Sequence, residues 1–395
     1  MKTKLPEGWK EVSFEDIAVV DSGQGAPQGE KYFDGNNIFV RAGDLNNLTD
    51  GKYVGEYCEK VTNEAITDYN LKKYPAGSVV FPKSGMSIMT DNLSILKYDS
   101  YVVNHLAIIQ PNDIKDVKYI FYLLKKVKTS NLSKNSSYPS IRMSDIQKFK
   151  LIWPPREIRQ KIVSILEKAE AAKEMRKEAD DLTKEFLKAV FIEMFGNVVT
   201  NNKKWSSLPL GELCTIRRGA SPRPIDDFIG DEVPWIKIGD GTKGNELYIE
   251  KTNVKITKKG AERSVFLKSG SLIFANCGVS LGFARILKID GCIHDGWLSF
   301  ENLDEKLNQI YLLKLINQIT LYLIKLAPEG TQPNLNTGIM KNLSIPLPPI
   351  SLQNKFASIV KEVESMKEQQ KHSKEQIDNL FNALTQRAFK GELMV

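Results

Sequence analysis

Trp153-Pro154-Pro155-Arg156-Glu157 and Leu347-Pro348-Pro349-Ile350-Ser351 stand 194 residues apart, and each opens a run free of further proline and glycine until Gly196 and Gly391. Proline in a first helical turn sacrifices no hydrogen bond, and glycine just past the end supplies a left-handed cap, so each run reads as one long helix. In the second, Leu352, Phe356, Ile359, Val363 and Met366 alternate steps of four and three, and Ile377, Leu380 and Leu384 resume the pattern. In the first, Ile158, Ile162, Ile165, Ala169 and Ala172 do likewise, followed after a shift by Met175, Ala179, Leu182, Phe186 and Ala189. A generic helical hairpin or a homodimerising coiled coil would show the same seams.

Outward from the helices, the whole chain is written twice. Trp9 pairs with Trp205, Gly23 with Gly219, and Gly43-Asp44 with Gly239-Asp240, while Gly77-Ser78-Val79-Val80-Phe81 matches Gly270-Ser271-Leu272-Ile273-Phe274. Tyr122-Leu123-Leu124-Lys125 aligns with Tyr311-Leu312-Leu313-Lys314, and Pro139 with Pro333. The offset drifts where loops take insertions. Each half therefore begins with about 150 residues of short β-runs broken by Gly, Asn, Asp and Pro, with helical stretches at 117–127 and 307–326. The expected fold class is α+β: two mixed α/β domains, 1–152 and 197–346, separated by two long helices, 153–196 and 347–395. If the halves are related by an approximate two-fold axis, the helices form an antiparallel coiled coil, an internal duplication expressed in space.

Composition narrows the function. The 55 Lys plus Arg against 48 Asp plus Glu give a formal charge of +7, compatible with a polyanionic partner but no proof of one. The four cysteines include no CxxC pair, and three histidines are too few for a zinc cage. With no signal-like N-terminus and no membrane-length apolar run, a cytoplasmic location is expected.

Catalytic signatures are missing from the sequence. The two Pro-Pro sites lack the flanking Asp, Asn or Ser and the aromatic that an amino-methyltransferase uses; no Glu-x-Lys occurs; and 239–245 lacks the Lys-Ser/Thr of a phosphate loop. His105 and His294 have no recurring nucleophile or metal ligand beside them, so structural roles are expected. No catalytic residue, metal site or bound cofactor is assigned to the chain.

The loops instead carry groups suited to bases and phosphates. Arg217, Arg218 and Arg223 lie on a turn whose counterpart is neutral and amide-rich, with Gln24 and Gln28. A second pair of loops offers Lys83 and Ser84 against Asn276; a third offers Tyr138, Ser140 and Arg142 against Gln332, Asn334 and Asn336. Arg41 and Lys237 complete the DNA-binding candidates. Equivalent frames with different chemistry are what two readers of different sequences require.

Gly330-Thr331-Gln332-Pro333-Asn334-Leu335 running into Ile345-Pro346-Leu347-Pro348-Pro349, with Gln353 and Ile359 beyond, resembles the specificity subunits of type I restriction-modification enzymes. So do Leu5-Pro6-Glu7-Gly8-Trp9 and Ala388-Phe389-Lys390-Gly391-Glu392-Leu393. The first half departs at Ser137-Tyr138-Pro139-Ser140 and at the helix start Arg156–Gln160. The resemblance implies a non-catalytic subunit that reads a two-part, asymmetric DNA site, its helices setting the spacer. Its implied partners are double-stranded DNA, two adenine-methyltransferase subunits and two restriction-translocase subunits, with S-adenosylmethionine, ATP and magnesium on those partners. The alternatives are a specificity subunit of a fused restriction-methylation enzyme and a protein-binding coiled-coil scaffold.

Overall fold

The fold is taken from a computed structural model that describes residues 5–46, 48, 51–133, 139–278, 280–327 and 334–392. The chain divides into two compact units, one of 1–176 with 373–395 and the other of 177–372. The long helices, Arg156–Phe195 and Ile350–Lys390, therefore each contribute to both units. Both end where expected, at Gly196 (φ +76°) and Gly391 (φ +78°).

Each unit carries three corresponding sheets, the second of them four-stranded in the first unit and five-stranded in the second. In the first, a five-stranded sheet runs Ala18–Ser22, Leu106–Pro111, Val79–Pro82, Ser94–Leu96, Tyr53–Val54; in the second the order is Thr215–Arg218, Trp297–Glu301, Leu272–Ala275, Ala284–Leu287, Tyr248–Ile249. Only the last pair in each is parallel. A second sheet joins Phe33–Val40 in parallel to Ser100–Val102, matched by Val233–Ile236 with Gly291–Ile293. A two-stranded ribbon, Lys10–Ser13 with Lys150–Trp153, or Ser207–Pro209 with Ser344–Pro346, leads into each long helix. The duplication in the sequence is thus a duplication of topology, with three sheets in each unit.

The late helical stretches are Val117–Val127, and Gln309–Gln318 followed by Thr320–Leu326. Their true register differs from the sequence match. The N-caps Asp116 and Asn308 correspond, so Tyr119, not Tyr122, is the equivalent of Tyr311. Tyr119 donates to the Ile152 carbonyl (3.2 Å) as Tyr311 does to that of Pro346 (2.9 Å). The sequence match slipped by three residues, nearly one helical turn, which keeps the same apolar face inward.

In both units the two long helices lie antiparallel. In the first, Ile162 and Leu166 share a core with Ala388 and Phe389, and Lys173 pairs with Asp378 at 2.7 Å. In the second, Phe191 and Phe195 pack on Phe356 with ring centroids 5.4 and 5.3 Å away, and both rings also meet Tyr311. Farther along, Gln370 donates to Thr183 (3.1 Å). The seam departs from the sequence reading: Met175, Leu182 and Phe186 are exposed, whereas Thr183, Leu187, Phe191 and Phe195 are buried. A helix of 3.6 residues per turn drifts off a strict four-three alternation, and here the buried stripe advances in steps of four. Met366 and Leu380 on the second helix are exposed for the same reason.

The two helix starts are clamped by different chemistry at one position. Gln353, fully buried, accepts from the Asn308 amide (2.9 Å) and donates to the carbonyls of Lys306 (2.9 Å) and Pro348 (2.7 Å). Arg159 holds the corresponding place in the first unit. It forms a buried two-point pair with Asp116 (2.7 and 2.8 Å), donates to the Pro154 carbonyl (2.7 Å) and lies over the Trp153 ring. The helix start that departs from family usage in sequence is therefore anchored by an ion pair in place of an amide.

Candidate nucleic-acid interface

Within each unit, backbone hydrogen bonds gather the loops that the sequence singled out. In the first, Gln24 N donates to the Val102 carbonyl (3.0 Å) and Asn104 N to that of Gln24 (2.8 Å). Lys83 N donates to His105 (2.9 Å), Ile141 N to Lys83 (2.8 Å), and Ser84 bridges Ser140. In the second, Ala220 N donates to Ile293 (3.2 Å), Asn276 N to Gly296 (3.0 Å) and Leu335 N to Asn276 (2.8 Å), while Cys277 bridges Asn334. The paired glycines make this possible: a Cβ on Gly23 would lie 2.0 Å from the Val102 carbonyl oxygen, and one on Gly219 would lie 2.2 Å from that of His294. The same bonds place His105 opposite Gly296 and His294 opposite Val103, so the two histidines do not recur at one position.

In the second unit, Asp295 organises the basic loop. Arg218 donates to its carbonyl (2.9 Å), Ser221 Oγ to its Oδ1 (2.8 Å) and Arg223 to its Oδ2 (3.3 Å). Burial pushes the Asp295 carboxyl up, but the Ser221 hydrogen bond and the neighbouring His294 and Arg223 outweigh it and hold it below the ordinary value. His294 Nδ1 accepts from Gly296 N (2.9 Å) and lies 3.1 Å from Asp295 Oδ1, and burial holds its pKa down despite Asp295. The Arg223 side chain remains 77% exposed, so its guanidinium faces solvent while one edge is held. Arg217 is different. It lies inside the strand Thr215–Arg218, exposed and on the opposite face from Arg218, so two guanidinium groups converge on Asp295 where the sequence suggested three on one turn.

Lys237 lies over Trp235 (5.1 Å), whose ring approaches His294 at 5.4 Å. Asn276 is fully buried and donates to Asn334 Oδ1 (3.1 Å), tying two loops together and facing inward. Asn336 caps the helix Thr337–Asn342 by accepting from Ile339 N (3.0 Å). Gln332 lies outside the described residues.

The first unit is quieter in charge. Gln24 donates to Tyr74 OH (3.3 Å) and accepts from Lys72 N (3.0 Å), which uses both ends of its amide. Gln28 is exposed, its amide on the Ala26 carbonyl. Ser84 Oγ lies 2.6 Å from His105 Nδ1. Ser140 and Arg142 are exposed beside it, while the Lys83 side chain is half-buried. Arg41, just past the strand Phe33–Val40, pairs with Glu59 (2.7 Å) and lies over Phe33 and Phe39. Tyr138 lies outside the described residues. Sequence reasoning missed Asp295 as an organiser, because its role depends on a loop 72 residues upstream.

Among the described residues no group of His, Cys, Asp or Glu is arranged to hold a metal ion, and no helix is long and apolar enough to cross a membrane. The arrangement is two repeated loop clusters with donors on an ordered frame, one basic and one amide- and hydroxyl-bearing.

The family model described as the type I restriction modification DNA specificity domain matches twice, at residues 6–181 and 202–379. The chain belongs to that family of type I restriction-modification specificity subunits. It is 34% identical over 170 residues to the type I restriction enzyme MjaIX specificity subunit of Methanocaldococcus jannaschii, a match spanning 42% of this chain and 38% of that relative. Its fold matches a chain solved in work on assembly and conformational transition of the type I R-M system (TM-score 0.68, 20% identity, 99% and 100% of the two chains covered). It also resembles the HsdS subunit from Thermoanaerobacter tengcongensis (TM-score 0.52, 18% identity, 99% of each chain).

Proposed function

We propose that each loop cluster reads one part of an asymmetric two-part DNA site, with 1–152 and 197–346 as the recognition domains and the helices of 153–196 and 347–395 setting the unread spacer. The observation that carries this reading is the shared loop frame with different chemistry on it: Arg218 and Arg223 held by Asp295 in one unit, Gln28, Ser84, Ser140 and Arg142 in the other. Phosphate contact positions such a frame and base-edge contact specifies the sequence. Exposed Arg223 and Arg217 suit guanine edges or phosphates, and Gln28 suits adenine.

The chain itself performs no catalysis in this reading. Two methyltransferase subunits dock against it, supported by the exposed apolar side chains Met175, Leu182 and Phe186 on the first long helix. Two restriction-translocase subunits join through the complex, and S-adenosylmethionine, ATP and magnesium belong to those partners. The protein then works in the cytoplasm, where its DNA lies.

The test is methylation mapping by long-read sequencing of DNA from cells carrying this gene and its methyltransferase, compared with Arg218→Ala and Arg223→Ala variants. A two-part methylated motif that depends on this gene, relaxed in one part only by the variants, supports the reading. Absence of any dependent motif with both proteins expressed refutes it.

A further inference from the structure

A cavity of about 450 Å³ opens in the second unit among the first long helix, the strand Ala284–Leu287 and the helix Gln309–Gln318. Five basic side chains line it, Lys184, Lys188, Arg285, Lys314 and Lys367, against two carboxylates, Glu185 and Glu246. Phe283 and Phe356 supply an apolar floor.

The first unit carries different side chains at the same place. The position of Lys314 is held there by Tyr122, which donates to Glu170 (2.7 Å), and Glu170 also pairs with Lys52 (2.7 Å) and Lys125 (2.9 Å). The position of Lys184 is held by Asp378, which pairs with Lys173 (2.7 Å). That of Arg285 is held by Ser94, buried with its hydroxyl on the Lys52 carbonyl. In the second unit Leu247 and Asn317 stand in place of Lys52 and Lys125, and the lining gains Lys314, Arg285, Lys184 and Lys188 together with two carboxylates, Glu185 where the first unit has Asn379 and Glu246 where it has Gly51.

Lys184 pairs with Asp181 (3.7 Å) and Lys188 with Glu185 (3.9 Å), but Lys314 and Arg285 form no ion pair among the described residues. Glu364, the equivalent of Glu170, is occupied by Lys367 (2.9 Å) and Asn245 (3.1 Å), and no carboxylate among the described residues lies within ion-pair distance of half-buried Lys314. Arg285 lies over Phe283 (4.6 Å) with one nitrogen on the Ala284 carbonyl (2.8 Å), and its buried Nε finds no acceptor among the described residues. Burial, with Lys367 and Arg285 nearby, holds the Lys314 ammonium below its ordinary pKa against the opposing pull of Glu364 and Glu246, the situation that an incoming anion relieves.

We infer that this cavity binds a small phosphate-bearing anion of nucleotide size, its phosphates on Lys314, Arg285 and Lys184 and its apolar part against Phe283. The volume falls in the range of small-molecule sites, and a half-buried lysine lining a concave pocket suits a small ligand better than a duplex. Multivalent phosphate is the anion that satisfies several cations at once.

The experiment is isothermal titration calorimetry of the full chain with ATP and with adenosine, repeated on Lys314→Met and Lys184→Asp. The second variant restores the Asp–Lys pair of the first unit, now with Lys367, and guards against loss by misfolding. ATP is expected to bind at one site and adenosine not to bind, and each variant should weaken ATP by about tenfold or more. Equal binding of adenosine, unchanged ATP affinity in both variants, or no ATP binding at about 1 mM would each overturn the inference. Displacement of ATP by a short DNA duplex would also overturn it, assigning the lysines to the DNA backbone.

Discussion

Removing Arg159 should cost more than removing any exposed ion-pair partner. Both members of its pair with Asp116 are more than nine-tenths buried, and the guanidinium makes two bonds to the carboxylate and one to the Pro154 carbonyl. Arg159→Ala leaves the Asp116 carboxylate buried without a counter-ion, a loss of about 3–5 kcal/mol. For a unit of this size that lowers the unfolding midpoint by on the order of 10 °C. The second unit supplies a designed rescue: Arg159→Gln with Asp116→Asn copies the pairing of Gln353 with Asn308 and removes the stranded charge. Differential scanning calorimetry measures the loss, and hydrogen exchange at the first turns of the helix Arg156–Phe195 locates it. The double variant should regain more than half of what Arg159→Ala loses. A loss under about 1 kcal/mol for Arg159→Ala, the range of exposed pairs, or a double variant weaker than the single would refute the reasoning.

Asn336→Ala removes a helix cap and should destabilise the second unit by about 1 kcal/mol, read as a lower denaturation midpoint with unchanged slope. Gly219→Ala forces a Cβ into the His294 carbonyl and should lower the second unit's midpoint far more than Gly239→Ala, where nothing lies within 4 Å. The depressed pKa of His294 gives stability that is full above the unfolded value near 6.5 and lost as pH falls through the folded one. His294→Gln should therefore flatten the pH dependence of the second unit's unfolding below about 6.5. Arg223→Ala should weaken DNA binding and reduce the slope of log affinity against log salt by about one, measured by fluorescence anisotropy, if that guanidinium meets a phosphate.

Much of the architecture was legible because punctuation and framework residues repeat. The Pro-Pro pairs and terminal glycines bounded both long helices, and Gly23 with Gly219 marked a place where the backbone admits no side chain. What the sequence obscured were registers set by packing. A slip of one turn aligned Tyr122 with Tyr311 although the N-caps make Tyr119 the equivalent, since both tyrosines sit on an apolar helix. The helix seam erred for a related reason: Phe186 and Phe191 are equally apolar, and only the neighbours decide which is buried. Among the interface residues, loop membership was readable, but the partners that orient them were not. Asn276 looked like a reader and is a buried tie between loops; Asp295, absent from the sequence candidates, holds two arginines.

The aromatic nest of Phe191, Phe195 and Phe356 around Tyr311 has a consequence for inheritance. Three of its rings belong to the long helices and one arrives with the segment between them. A gene exchange could therefore replace nearly everything from 197 to 346, provided that the incoming cassette presents one tyrosine to the resident socket. An exchange that keeps this tyrosine keeps the socket filled, so what the cassette recognises can change without altering either long helix.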